Sequence, residues 1–476
     1  MLCDAPFIDP SYGGHSGSLT AMSLATELTT SLGRSISNTL KGSAGNLVEW
    51  YDVYVYSTFA MYFESQFFDP ADKNSTIYVW ATFAVTFLMR PVGSWFFGRY
   101  ADRFGRRAAL TLSVTIMAAC SIAVAVMPTR SVLGVGAAVL LIVARLVQGF
   151  ATGGEYGTSA TYMSEAAWAR RRGFLSSFQY VTLVGGQVLA QLVLLIMLLT
   201  MSHDAIAQWG WRVAFGIGGV AALVVFWIRR TMDESLNSSD IEAAKTGQES
   251  AKSHGSIVEL FGQYWREVLL VIFITMGGTL TFYIYTVVGP TIVEGSVGAG
   301  SPVLASTVSL IALAIYMALQ PLGGWLADIV GYKSQLVFYG LGALVFTWIF
   351  VLVLPKTNNG FAAFGILIVA FIIETAYTSI SAIVKAQVFP AYVRAIGVGI
   401  AYAVANSLFG GTAPLIYAAF NGKGNAVGFV VYSSIVIAAS LVTYVFFMKN
   451  KGPNWLDDSG EMQRRRLARG RQTTVG

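Results

Sequence analysis

The chain has 476 residues, 55% of them hydrophobic and only 12% charged, with a mean hydropathy of +0.61; soluble domains carry about 25% charged residues, so a large soluble domain is excluded. Two cysteines, Cys3 and Cys120, cannot build a disulfide framework or a four-cysteine zinc site, and three histidines make a His-rich metal site unpromising, so no metal and no cofactor are expected. A net charge of +6 would point to nucleic acid in a soluble chain, but here its distribution among loops carries the information, and no nucleic-acid partner is expected.

Residues 1–42 lack the charged start, apolar core and small-residue cleavage site of a signal peptide and are read as a cytoplasmic tail. A membrane helix needs about 20 apolar residues. Twelve such runs follow, near 43–67, 75–98, 108–127, 132–164, 174–201, 209–228, 267–291, 301–326, 335–354, 361–389, 393–420 and 426–448. The fourth and tenth carry polar stripes, as helices lining a water-filled path do. The one long polar interruption divides the runs six and six. The expected organisation is an N-terminal bundle over 43–228, a cytoplasmic linker over 229–264, a C-terminal bundle over 265–449 and a basic tail over 450–476.

Short loops rich in Lys and Arg stay in the cytoplasm. One set of loops holds Arg99, Arg103, Arg106, Arg107, Arg170, Arg171, Arg172, the linker, Lys333, Arg394 and the tail arginines Arg464, Arg465 and Arg466. The other holds little beyond Lys73, Arg130, Lys356 and Lys423. Both termini are therefore expected inside, with membrane lipid around the spans and available to the basic tail.

The halves repeat each other. Pro91-Val-Gly93-Ser-Trp95 returns as Pro321-Leu-Gly323-Gly-Trp325, and the loop from Gly98 through Asp102 and Gly105 returns as Gly324, Asp328 and Gly331. Glu165 and Arg172, seven apart, match Gln387 and Arg394. A parallel duplication with a midplane site between the bundles follows.

Span 1 places Glu49, Asp52 and Tyr56 on one helical face. A charge at the centre of a membrane helix costs about 2.5–3.5 kcal/mol even on a lenient scale, so neighbouring carboxyls serve either as proton carriers or as partners of an arginine. Span 4 supplies that arginine in an inward stripe of Arg145, Gln148, Thr152, Tyr156 and Ser159. Arg145 cannot lose its proton, so it requires a carboxylate, either Asp52 or a bound acid. Protonating Asp52 would then release Arg145 to an incoming acid. Glu155, beside Gly153, Gly154 and Gly157 where helices approach closely, is read as structural.

Arg90 precedes Pro91 in span 2, and Lys385 shares a face with Thr378 and Ser381 in span 10. Two separated cations suit an acid with a carboxylate at each end; the alternatives are a packing ion pair for Arg90 and snorkelling for Lys385. Gln179, Tyr180, Thr182, Gln187, Thr279, Tyr283, Tyr402 and Asn406 are candidates for neutral contacts, or for interhelical hydrogen bonding. Gly98, Asp102, Arg103, Gly105, Arg106 and Arg107, with Asp328 in the repeat, are assigned to gating, since charge pairs at the bundle boundary can latch the halves.

The loop Gly98 to Arg107 resembles the signature between spans 2 and 3 of the major facilitator superfamily, and Arg145-Leu-Val-Gln148-Gly149 resembles its signature in span 4. Gly45-Asn-Leu-Val-Glu49-Trp50-Tyr51-Asp52, Arg90-Pro91-Val-Gly93 and the stretch Gly153 to Glu165 resemble the metabolite:proton symporter family. Phe178 to Thr182, Tyr377 to Ser381 with Lys385, and Ala401 to Asn406 most resemble members that carry 2-oxoglutarate. The resemblance spans about 43–449. It implies an all-α membrane protein of twelve transmembrane helices in two six-helix bundles. It also implies import of a small organic acid, a dicarboxylate such as 2-oxoglutarate, coupled to protons and working by alternating access, by a monomer in the bacterial cytoplasmic membrane. Asp52 resembles the proton-site aspartate of related sugar:proton symporters.

Three positions depart from the family pattern. Glu374 stands where an apolar residue is usual, Gln387 replaces an acid, and Pro414 replaces a glutamate. An added acid on the path would favour a bulkier or amino-bearing substrate, which keeps citrate, shikimate-like and aromatic acids and betaine or proline open. An exchanger and a non-transporting solute sensor are the other readings, although the tail after Lys449 is short for a signalling domain and lacks a sustained heptad. An enzyme is not expected, because no nucleophile with a base, phosphate loop or ligand cluster is visible.

Overall fold

The computed structural model describes residues 45–104, 106–153, 172–230, 257–448 and 455–456. In chain order its principal helices are α1 (45–67), α2 (Ser75–Leu88 and Arg90–Phe104), α3 (Arg106–Val126), α4 (Val135–Thr152), α5 (Phe178–Thr200, entered through Arg172–Ser176) and α6 (Trp211–Arg230). The second half supplies α7 (Trp265–Tyr283, continued by Gly289–Ser296), α8 (Pro302–Val330), α9 (Tyr332–Val353), α10 (Gly360–Thr378 and Ser381–Ala386), α11 (Ala391–Ala405 and Ala413–Asn421) and α12 (Ala426–Phe446). Ten spans, α3 to α12, are long and apolar enough to cross a membrane. With α1 and the interrupted α2 they make the twelve crossings that the apolar runs predict. The interval 229–264 is less uniformly polar in structure than its composition suggests: α6 runs to Arg230, and a helix at Ile257–Gln263 precedes α7. That short helix buries Leu260 in an apolar cluster with Val268, Phe389 and Val393.

The distribution of side chains is inverted relative to a soluble protein. Val126, Leu199, Trp227 and Phe361 are exposed, while Asp52, Arg90, Arg145, Glu374 and Lys385 are at most 4% exposed. In water this arrangement would forfeit apolar burial and desolvate charge; in a bilayer the apolar exterior meets lipid, and the ionisable side chains are enclosed with polar and aromatic partners. Burial also shows which helices are central. In α7, α10 and α11, 72–78% of the apolar window is buried, against 39% in α8 and α9.

Two local features set the level of the interior site. Pro91 has no N–H for the Phe87 carbonyl, and α2 is interrupted at Met89. The Ser407 hydroxyl, between the two segments of α11, has that carbonyl at 2.5 Å and the Ala403 carbonyl at 2.6 Å as acceptors for its one hydrogen, so the second half can serve a carbonyl that Pro91 cannot. The α2–α4 crossing is a backbone contact. A Cβ on Gly149 would lie 1.9 Å from the Thr86 carbonyl oxygen, and one on Gly153 would lie 2.3 Å from that of Arg90. Glycine at 149 and 153 therefore lets α4 lie directly against the α2 backbone from Thr86 to Arg90.

Candidate functional site

Asp52 of α1 is held by side chains of two other helices. Ser121 of α3 donates to Oδ1, and Gln148 of α4 donates from Nε2 to Oδ2 at 2.5 Å. Arg145 then donates from Nη1 to Gln148 Oε1 at 2.7 Å. The expected direct grip of Arg145 on Asp52 is thus replaced by a relay, because the Gln148 amide accepts from the cation and donates to the acid. The remaining guanidinium atoms Nε and Nη2 have no hydrogen-bond partner among the described residues. The guanidinium lies 4.4 Å from the Tyr56 ring centroid, a cation–π contact. Tyr56 spends its hydroxyl on the Val79 carbonyl at 2.9 Å, so it offers the site a ring face rather than a donor. Ser121 carries no sequence signal, being a lone hydroxyl in an apolar span.

A small cavity between the halves is lined by Asn46, Glu49, Trp50, Arg90, Thr152 and Tyr402, among others. Arg90 lies 4.3 Å from the Phe87 ring centroid and 4.9 Å from that of Trp50. Its Nε and Nη2 have no hydrogen-bond partner among the described residues. Trp50 is fixed by a 3.1 Å bond to Asn46, whose amide donates to Thr182 at 2.6 Å. From the second half, Lys385 Nζ lies 4.4 Å from the Tyr402 ring centroid and 5.9 Å from that of Tyr377. Tyr402 therefore joins the two cations: it lines the cavity of Arg90 and carries Lys385 on its ring. Trp50, Phe87 and Asn46 are functional surroundings to which sequence reasoning assigned no role.

Apart from Tyr402, the neutral candidates do not line this cavity. Tyr283 packs edge-on to Phe87 at 5.3 Å, and Tyr180 packs on Phe282 at 5.8 Å. Asn406 accepts from Thr279 at 2.7 Å and has an unpartnered Nδ2 among the described residues. Gln179 and Ser381 are buried. The three departures are also away from the cavity wall. Glu374 is fully buried among α7, α9 and α10, Pro414 is buried at the start of the second α11 segment, and the Gln387 carbonyl accepts from Trp455. Glu374 is therefore not part of the small cavity's wall in this closed arrangement.

At the end of the bundle bearing Arg107, the Asp328 carboxylate of α8 accepts the Gly173 and Phe174 amides at 2.8 and 3.0 Å and the Tyr332 hydroxyl at 3.1 Å. Gly173 and Gly324 meet backbone to backbone there. The duplicated arginines converge too: Arg172 donates to the Leu456 carbonyl at 3.2 Å and Arg394 to that of Trp455 at 2.9 Å. Arg107 donates to the Arg230 carbonyl, and Gly98 has open space around it. The backbone at Asp102, Arg103 and Arg106 is helical. Gly105, Glu155, Tyr156, Ser159 and Glu165 lie outside the described residues. At the opposite end Gln187 donates to the Thr286 carbonyl, and Gln191 donates to Ser306 at 2.9 Å. The halves touch at both ends, enclosing the cationic centre.

A family model described as "Sugar (and other) transporter" matches residues 39–455. The chain belongs to this transporter family. Over 412 residues it is 41% identical to the alpha-ketoglutarate permease of Escherichia coli (strain K12), covering 86% of this chain and 93% of that one. It is 30% identical to the citrate-proton symporter of Salmonella typhi, covering 79% and 85%. The partially occluded, inward-open xylose transporter XylE of E. coli superposes with a TM-score of 0.68 at 20% identity, covering 88% of this chain and 98% of that one. These matches show the twelve-helix major facilitator fold, and the family's proteins are transporters, not enzymes. The protein is a multi-pass membrane protein.

Proposed function

We propose that the protein is a proton-coupled symporter of the bacterial cytoplasmic membrane that imports a small organic acid, a dicarboxylate such as 2-oxoglutarate, by alternating access. One observation carries the substrate reading: a cation from each half, Arg90 of α2 and Lys385 of α10, meets the other at Tyr402. A substrate with a carboxylate at each end satisfies both and draws the halves together. Arginine offers a planar two-pronged donor and lysine a point charge, so the two ends are held differently. The names of the relatives support the chemistry, one being an alpha-ketoglutarate permease and another a citrate-proton symporter.

Coupling runs through Asp52. With its carboxyl ionised, the Gln148 amide is locked between acid and Arg145. Protonation removes the attraction that holds this relay, and Arg145 becomes available to an anion beside Arg90. A dianion moving against an inside-negative potential costs about 2.3 kcal/mol per charge per 100 mV, so two protons are needed for neutrality and a third for voltage to help.

The bundles over 43–228 and 265–449 then rock about this centre, with the linker 229–264 and both tails on the cytoplasmic side. Asp328, Gly173 and the Gly98–Arg107 loop form the inner latch, and Gln187 and Gln191 form the outer one. One chain supplies both cations, so the reading takes a monomer in lipid as the working unit. Uptake of a labelled panel of mono-, di- and tricarboxylates and betaine into proteoliposomes, with and without an imposed pH gradient, tests it. Gradient-driven uptake is expected for a dicarboxylate; uptake of betaine alone would overturn the substrate reading.

A further inference from the structure

The two halves place a carboxyl at the same junction of helices, but on different members of it. In the first half Asp52 of α1 meets Ser121 of α3 and Gln148 of α4. In the second, the matching helices are α7, α9 and α10. Glu374 of α10 meets Thr281 of α7 at 2.8 Å, and Thr281 meets the Tyr339 hydroxyl of α9 at 2.6 Å. We propose that Glu374 is a second proton-carrying site of the transport cycle, built on the repeat of the junction that holds Asp52.

The surroundings distinguish a carrier from a structural acid. Glu374 is 0% exposed, and its Oε1 has no hydrogen-bond partner among the described residues. The phenols within electrostatic reach of it, Tyr285, Tyr316, Tyr339, Tyr377 and Tyr444, bond elsewhere, to Thr347, Thr378, Thr281 and the Thr275 and Ile274 carbonyls, so none bonds the carboxyl. Among the described residues no Arg, Lys or His side chain forms an ion pair or hydrogen bond with it. A single hydroxyl recovers less than an ionised carboxyl loses on leaving water, so in this closed state the group holds a proton as Oε–H. Release requires solvent to reach it between α7, α9 and α10 during the cycle.

Thr281 is suited to both forms. Its one hydrogen can turn to the carboxylate when the acid is ionised, or to the Gly277 carbonyl 3.1 Å away when the acid donates to Thr281 instead. Tyr377 connects this site to the substrate centre. It lies three residues after Glu374 along α10, and its ring centroid is 5.9 Å from Lys385 Nζ.

This inference rests on the proton-symport reading, and the test separates the two. Proton and labelled 2-oxoglutarate fluxes are measured together in proteoliposomes for the unmodified protein, E374Q and T281V. In the unmodified protein, proton influx with substrate is expected; its absence overturns the symport reading itself. E374Q is expected to keep substrate exchange within about twofold, to move one proton fewer per substrate, and to lower the accumulation limit about tenfold per unit of imposed pH gradient. T281V, which keeps the carboxyl, is expected to keep the unmodified stoichiometry. Unmodified stoichiometry and pH profile in E374Q would overturn the inference. If E374Q does not assemble, the same measurement on E374M, which also removes the carboxyl, decides: one proton fewer per substrate is expected, and the unmodified stoichiometry there would overturn the inference.

Discussion

Asp52 and Glu374, two of the buried acids among the described residues, are made tolerable in opposite ways. Asp52 has a permanent cation one amide away, whereas Glu374 has a threonine hydroxyl and a ring of phenols. Burying an ion costs several kcal/mol even after relaxation, and a hydrogen bond to a charged group returns about 1.5–3 kcal/mol. Arg145, Gln148 and Ser121 together can hold an ionised Asp52; Thr281 alone cannot hold an ionised Glu374. The lesson is that polar residues of similar number do different work according to whether a fixed charge is among them. In the proposed cycle the first junction exchanges a proton for an anion at Arg145, and the second, with no fixed charge, loads or unloads a proton alone.

The contrast is broken most severely at Asp52. Asp52→Asn removes the exchangeable proton but preserves shape, so gradient-driven accumulation is expected to fall at least about tenfold while exchange of internal for external substrate persists, because exchange requires no net proton release. Counterflow and accumulation assays on one preparation check this. Next in size are the substrate cations. Arg90→Ala and Lys385→Ala are each expected to weaken dicarboxylate binding about a hundredfold, and Arg90→Lys less, since the point charge survives but the two-pronged donor does not; binding isotherms on purified protein measure it.

A smaller effect is expected at the latch. Gly173→Ala or Gly324→Ala drives a methyl into a carbonyl 2.4–2.5 Å away, so the two helix ends must separate. The expected cost is about 1–3 kcal/mol of the closed arrangement, read as faster labelling of a cysteine placed beside Asp328. The smallest is Ser407→Ala. It strips the hydroxyl from the Phe87 carbonyl that Pro91 cannot serve, at a stability cost of about 1 kcal/mol in thermal unfolding.

Much of the fold was legible because apolar length and the internal repeat are one-dimensional properties. The helix near 43–67 and the Pro91 interruption sit where the residues predict them. The candidate site was legible only in part. Charged residues in apolar runs announce themselves, so Asp52, Arg90, Arg145, Glu374 and Lys385 could be found by inspection. Their mutual arrangement could not. The insertion of Gln148 between Asp52 and Arg145, and the exclusion of Glu374 from the cavity, depend on where helices cross. Ser121, Trp50 and Phe87 were missed because a hydroxyl or a ring in an apolar span is ordinary until a charge is seen beside it. The helix at Ile257–Gln263 was hidden by the polarity of the interval around it.

The central claim is that protons enter with the acid, and it is tested most directly by proteoliposomes loaded with a pH-reporting dye and held without any initial gradient. Addition of external 2-oxoglutarate is expected to acidify the interior in the presence or absence of sodium, with Asp52→Asn abolishing the signal and a protonophore collapsing it. Sodium-dependent uptake of the labelled acid with no acidification would contradict the account.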